Sequence, residues 1–188
     1  MYQWLNTVAQ PKEDFMTQPS LVSRSTILDN GITQIAIVVE NLDKTVEQYW
    51  QLFGIGPWHF YTYKRPLLSM SRYYGKDVDN ALRIALTHFG PTRIELIEVK
   101  NGDSIQKDFI KAHGYGVQHL GILVDDMKTA LEEAREKGFE IIQEGAGFGP
   151  DGDGHYAYLD TLEKFGVTYE LIERPKRRHK PEKIYPAE

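Results

Sequence analysis

Hydrophobic and polar positions along the chain fall into two runs of the same order. "ITQIAIVVENLDKTVEQYWQLFG", residues 32–54, begins with a β-branched stretch, passes through an acidic turn and continues with Val46, Tyr49, Trp50 and Phe53 at helical spacing. "VQHLGILVDDMKTALEEAREKG", residues 117–138, repeats that order, with Met127, Ala130, Leu131 and Ala134 on one helix face and Gly138 as the expected stop. Aligned without gaps, Ile35 meets Leu120, Ala36 meets Gly121, Val39 meets Val124, and Gln34 falls opposite His119. The ends match too: "TRIELIEV" (92–99) and "VTYELIERP" (167–175) share a Glu-Leu-Ile core. Strand-like runs bounded by Gly, Pro or Asp lie between, "PWHFYTYKR" and "ALRIALTHF" in the first half and "FEIIQEG" and "HYAYLDT" in the second.

The pattern predicts an α+β chain of two tandem βαβββ modules forming a shared cleft. Residues 1–30 read as an N-terminal arm and 31–101 as the first module. A linker helix is expected within 102–116, the second module over 117–174 and a basic C-terminal tail over 175–188.

Alternation along a strand turns every second side chain to one face. The cleft-facing sets are then Gln34, Ala36 and Val38; His119, Gly121 and Leu123; Arg93, Glu95 and Ile97; and Thr168, Glu170 and Ile172. Pseudo-twofold symmetry brings Gln34, Glu95, His119 and Glu170 together. Two carboxylates, an imidazole and an amide oxygen suit one divalent ion per chain, such as Zn, Ni, Co or Mn. A core histidine and outward-facing glutamates are the alternative, set against by the shared phase of the two glutamates in the repeats.

Composition narrows the classes. Of 188 residues, 41% are hydrophobic and 26% charged, as expected of a soluble globular protein. The absence of cysteine removes disulfides, thiolate metal sites and cysteine nucleophiles. A net charge of −5 gives no reason to expect nucleic acid as a partner. No apolar run reaches the roughly 20 residues of a membrane helix, and the acidic N-terminus does not read as a signal peptide. A cytoplasmic location, a small-molecule substrate and a homodimer are the expectations.

The paired pattern, with "NGDSIQKDFIKAHGYGVQHLGILVDDMKTAL" and "LFGIGPW", resembles the vicinal oxygen chelate (VOC) superfamily of glyoxalases and bleomycin-resistance proteins. Within that superfamily it looks most like the methylmalonyl-CoA epimerase branch and its glyoxalase-like relatives. The resemblance implies metal ligands at Gln34, Glu95, His119 and Glu170. It also implies a metal-dependent isomerase or epimerase that works through a metal-stabilised enolate on a small carbonyl or acyl-thioester substrate. A glyoxalase I-type lyase is the alternative, although Val38 and Val99 stand where that enzyme places its glutathione-contacting arginine and asparagine. A non-catalytic binding (resistance) protein is another, and an iron dioxygenase would want a histidine at Gln34.

On this reading Glu170 is the general base. Arg83, aligned with the epimerase's second carboxylate, is either an anion anchor or electrophile in the cleft, or a surface arginine. Tyr156 and Tyr158 are expected to line the substrate site or the core. Trp58 and His59 are expected to form an aromatic wall, with His59 a candidate second base. "GAGFGPDGDG" (145–154) reads as a loop closing over the cleft, since no Rossmann strand and helix flank it.

Overall fold

The structure, a computed structural model, describes residues 24–187. Most of the expected N-terminal arm lies outside the described residues. The first half comprises β1 (Gln34–Val38), α1 (Leu42–Phe53), β2 (Trp58–Tyr63), a hairpin of β3 (Met70–Tyr73) and β4 (Lys76–Asp77), then β5 (Ala81–Phe89) and β6 (Thr92–Asn101). α2 (Ile105–His113) leads to the second half: β7 (Gly116–Leu123), α3 (Met127–Glu136), β8 (Ile141–Ala146), β9 (His155–Leu159), α4 (Leu162–Phe165) and β10 (Thr168–Glu173). A short β11 (Lys183–Tyr185) follows.

Local chemistry sets the element limits. Asn41, Ser104 and Asp126 each accept a backbone N–H from the first turn of α1, α2 and α3, which removes orphan donors at the helix starts. Gly54 ends α1 in the left-handed conformation at φ 66°. The β3–β4 hairpin turns through Tyr74 (φ 45°) and Gly75 (φ 73°), the positive-φ pair that a two-residue hairpin requires.

The strands join into one 11-stranded sheet in the order β11-β2-β5-β6-β1-β7-β10-β9-β8-β3-β4. β1 pairs in parallel with β6, and β7 in parallel with β10; β1 and β7 run antiparallel at the centre and join the halves. This is the α+β arrangement of paired βαβββ units. The helix-side face of the first half buries Leu42, Val46, Trp58, Phe60, Ala85 and Leu96, and that of the second Met127, Leu131, Ala134, Ala157 and Leu171. The cleft-side face carries Ala36, Val38, Leu82, Ile84, Leu86 and Ile97 in the first half, and Tyr156, Tyr158 and Phe148 in the second, with Leu68 packed on them from the segment between β2 and β3.

Two features go beyond the repeat. β3 crosses over to pair with β8 of the second half. The tail does not simply run off into solvent, because β11 pairs with β2 of the first half. Each is too short to leave a periodic signature in the sequence.

Candidate metal centre

The centre is assembled by the four strands around the β1–β7 seam. Gln34 sits beside Arg93 across the β1–β6 pair and beside Gly121 across the β1–β7 pair. Glu170 sits beside Gly121 across the β7–β10 pair. A β-carbon at Gly121 would come within 2.9 Å of the Gln34 Cβ and 2.8 Å of the Ile172 Cδ1, so only glycine lets these side chains meet.

Glu95, His119 and Glu170 are buried, and each offers a ligand atom within 4.8 Å of the other two. His119 Nε2 lies 3.1 Å from Glu170 Oε2 and 3.5 Å from Glu95 Oε2. Burial alone would lower the pKa of His119, but the charges and hydrogen bonds of Glu170 and Glu95 outweigh it and raise it to about 9.

A bulge in β7 positions the imidazole. Ala36 pairs with His119 and Ile37 with Val117, leaving Gln118 as the extra residue. Gln118 and His119 are both buried, and His119 Nδ1 donates to Gln118 Oε1 at 2.7 Å. That bond orients the ring with Nε2 facing the carboxylates and keeps the proton on Nδ1 when the imidazole is neutral, the usual way a metal-binding imidazole is held. The sequence carries no signal for a bulge, and Gln118 was not expected at the site.

Gln34 joins the cluster with its amide in a particular orientation. Nε2 donates to Glu95 Oε2 at 2.9 Å and to Glu170 Oε2 at 3.0 Å. Oε1 accepts from Arg93 Nε at 2.6 Å. The oxygen that would ligate an ion is thus taken by Arg93, and turning the amide over would set two donors against each other. Glu95, His119 and Glu170 fit a divalent ion: two anionic oxygens and one imidazole nitrogen, buried and converging. Gln34, as it lies here, does not supply a fourth oxygen.

Tyr158 stands beside Glu170 across the β9–β10 pair, its ring edge-on to His119 with centroids 4.9 Å apart. Burial, then the charges of Glu170 and Glu95, push its phenol well above the usual value, so it remains protonated. Tyr156 shares that face and stacks on Tyr63 at 6.2 Å.

Two expectations are corrected. Arg83 does not face the cleft: Leu82, Ile84 and Leu86 do, and the alternation of β5 sends Arg83 to the helix side. There it ion-pairs with Asp43 of α1, its Nη2 donating to Oδ1 at 3.2 Å, and lies over the Phe60 ring at 5.2 Å. Trp58 and His59, as neighbours on one strand, cannot wall the same cleft. Trp58 is fully buried on the helix side, its Nε1 donating to Ile55 O at 2.6 Å, whereas His59 is exposed and lines the cleft mouth with Tyr61.

A profile of the "Glyoxalase/Bleomycin resistance protein/Dioxygenase superfamily" matches residues 33–158. The chain belongs to that superfamily. Among solved structures, methylmalonyl-CoA epimerase from Mycobacterium tuberculosis is similar at 22% identity, covering 82% of this chain and 95% of its own, with a TM-score of 0.56. A Streptomyces coelicolor methylmalonyl-CoA epimerase variant in complex with 2-nitronate-propionyl-CoA is 20% identical, covering 79% of this chain and 96% of its own, at a TM-score of 0.57. A hypothetical protein from Bacillus halodurans C-125 is 22% identical, covering 79% and 97%, at 0.55. At these identities the likeness establishes the fold. A comparison with curated protein sequences gave no match. Among the described residues of this VOC-fold chain, no helix is long and apolar enough to cross a membrane.

Proposed function

We propose that the protein is a metal-dependent isomerase or epimerase that acts on the C–H bond beside the carbonyl of a small carbonyl or acyl-thioester substrate. The supporting observation is the convergence of Glu95, His119 and Glu170 within 4.8 Å in a buried site. Burying two carboxylates side by side is costly, and the single positive charge of a protonated His119 balances only one of them. A divalent ion held by these three residues would remove that cost and supply Lewis-acid stabilisation for an enolate oxygen. The acyl-thioester class is suggested by those similar folds that are methylmalonyl-CoA epimerases.

Glu170 is the proton acceptor. Its Oε2 is held by Gln34 Nε2 and stands 3.1 Å from His119, which keeps the carboxylate aimed across the cleft. Tyr158, kept as a phenol beside Glu170, is placed to donate a hydrogen bond to a substrate oxygen. Leu82, Ile84 and Leu86 make the β5 wall aliphatic, which excludes water but offers no second carboxylate. Glu95 is then the carboxylate available to face Glu170 in an epimerisation, whereas an isomerisation needs Glu170 alone to take the proton and return it.

The test is the metal content of purified protein, followed by deuterium incorporation into acyl-CoA esters and hydroxy-ketones in deuterated water. About one ion per chain, with wash-in abolished by Glu170→Gln, is the expected result. A protein that neither carries nor takes up Zn, Ni, Co or Mn would overturn the reading.

A further inference from the structure

The segment that follows β10 leaves the second half of the sheet and ends as β11 against β2 at the far edge of the first half. It is pinned at both ends. Near its start, Arg177 ion-pairs with Asp151 and the Lys176 N–H donates to Asp153 Oδ2 at 2.8 Å. Near its end, Glu182 accepts from the backbone and the hydroxyl of Thr62, each at 2.9 Å. Between the two anchors lies Arg178.

Arg174 and Arg178, from this segment, meet Arg93 of β6 around a cavity of about 380 Å³ that His59 and His88 also line. Arg93 connects this cavity to the metal centre, because its Nε holds Gln34 Oε1. Arg93 is only 6% exposed, yet none of the three guanidinium groups has a carboxylate within 4.0 Å among the described residues. Two other basic side chains of this segment are paired, Arg177 with Asp151 and Lys183 with Asp43. Glu95 and Glu170 lie close enough to act on Arg93 at a distance, while the Oε2 of each is engaged by Gln34 and His119. Three like charges gathered at one cavity repel each other and favour an anion between them. Two of the three lie beyond residue 158, where the family match ends.

We propose that Arg93, Arg174 and Arg178 bind an acidic group, a carboxylate or a phosphate, of the molecule whose other end reaches Glu95, His119 and Glu170. The assignment of that other end rests on the function proposed above; the anion site rests on the arginines alone. Guanidinium groups suit either oxyanion, since both accept paired N–H donors.

Calorimetric titration of metal-stripped protein with inorganic phosphate, and separately with malonate, tests it. Wild type is expected to bind at least one of them in the millimolar range or tighter. Arg174→Ala and Arg178→Ala should each weaken binding by about tenfold or more, Arg178→Lys by less, and Arg72→Ala, on β3 toward the opposite edge of the sheet, should leave it unchanged. Preference for phosphate would identify a phosphoryl group, and preference for malonate a carboxylate. Binding of neither anion, equal binding by the Arg174 and Arg178 variants, or equal loss of binding in Arg72→Ala would overturn the proposal. Metal content, measured on the same preparations, reports separately on the metal centre: a protein without metal that still binds the anion would sink only the proposed reaction.

Discussion

Arg93 Nε donates to Gln34 Oε1 at 2.6 Å, and this bond decides which end of the Gln34 amide faces the two carboxylates. Gln34 is then a donor that steadies Glu95 and Glu170 rather than an oxygen ligand. Gln34→Ala should keep its metal, with affinity reduced by no more than about tenfold, whereas His119→Ala should lose it, a ligand being worth more than a supporting contact. Metal analysis after dialysis distinguishes the two. Metal lost equally from both variants would make Gln34 a ligand.

Gln118 holds His119 from behind through the 2.7 Å bond to Nδ1. Gln118→Leu preserves bulk but frees the imidazole to rotate and change tautomer. Metal affinity should fall by about 10- to 100-fold, the usual effect of removing such a partner. Competition with a chromogenic chelator would measure it, and unchanged affinity would show that packing alone orients the ring.

Gly121 should be intolerant of even a methyl group. Gly121→Ala places a β-carbon 2.9 Å from the Gln34 Cβ and 2.8 Å from Ile172 Cδ1, contacts that a packed core cannot absorb without movement. A loss of about 1–3 kcal/mol is expected from overpacking, with weaker metal binding because Gln34 and Glu170 are pushed apart. Urea unfolding and metal titration of the variant check both effects.

The Asp43–Arg83 pair gives a pH dependence whose sign follows from the structure. The hydrogen bond from Arg83 holds the Asp43 carboxyl down at about 2 against burial, with Lys183 helping, below the ordinary 3.8. A carboxylate depressed on folding contributes stability above its unfolded pKa and loses it as pH falls through the folded value. The contribution is therefore complete above pH 3.8 and vanishes toward pH 2. With Asp43 45% exposed, solvent screening limits it to less than about 1 kcal/mol. Thermal midpoints of wild type and Asp43→Asn should differ near neutrality and converge in acid.

The strand-helix repeat was legible because each half carries a two-residue period followed by a 3.6-residue one, and Glu95, His119 and Glu170 share a phase in it. One-residue precision was not legible. Alternate residues along β5 and β2 face opposite ways, so Arg83, expected in the cleft from its alignment with the epimerase's carboxylate, and Trp58, expected in one wall with His59, both lie behind it. The Gln118 bulge breaks the alternation without any turn residue to announce it. Arg93 was legible as a cleft-facing position, but its hold on Gln34 depends on two side chains 59 residues apart. The path of the basic tail depends on its pairing with β2, and a three-residue strand has too few positions to show a period.

Each half of the molecule lends an element to the other. The β3–β4 hairpin of the first half extends the second at β8, and β11, reached from the second half, extends the first at β2. The halves are thus clasped at both outer edges as well as joined at the seam, and any hinging about the seam would have to extend the connecting segments 64–69, 78–80 and 174–182. A backbone nick in α2 would therefore leave two fragments that stay associated until the chain is denatured. Access of a ligand to the metal centre is then governed by these three connecting segments, which cross between the halves, rather than by the strands.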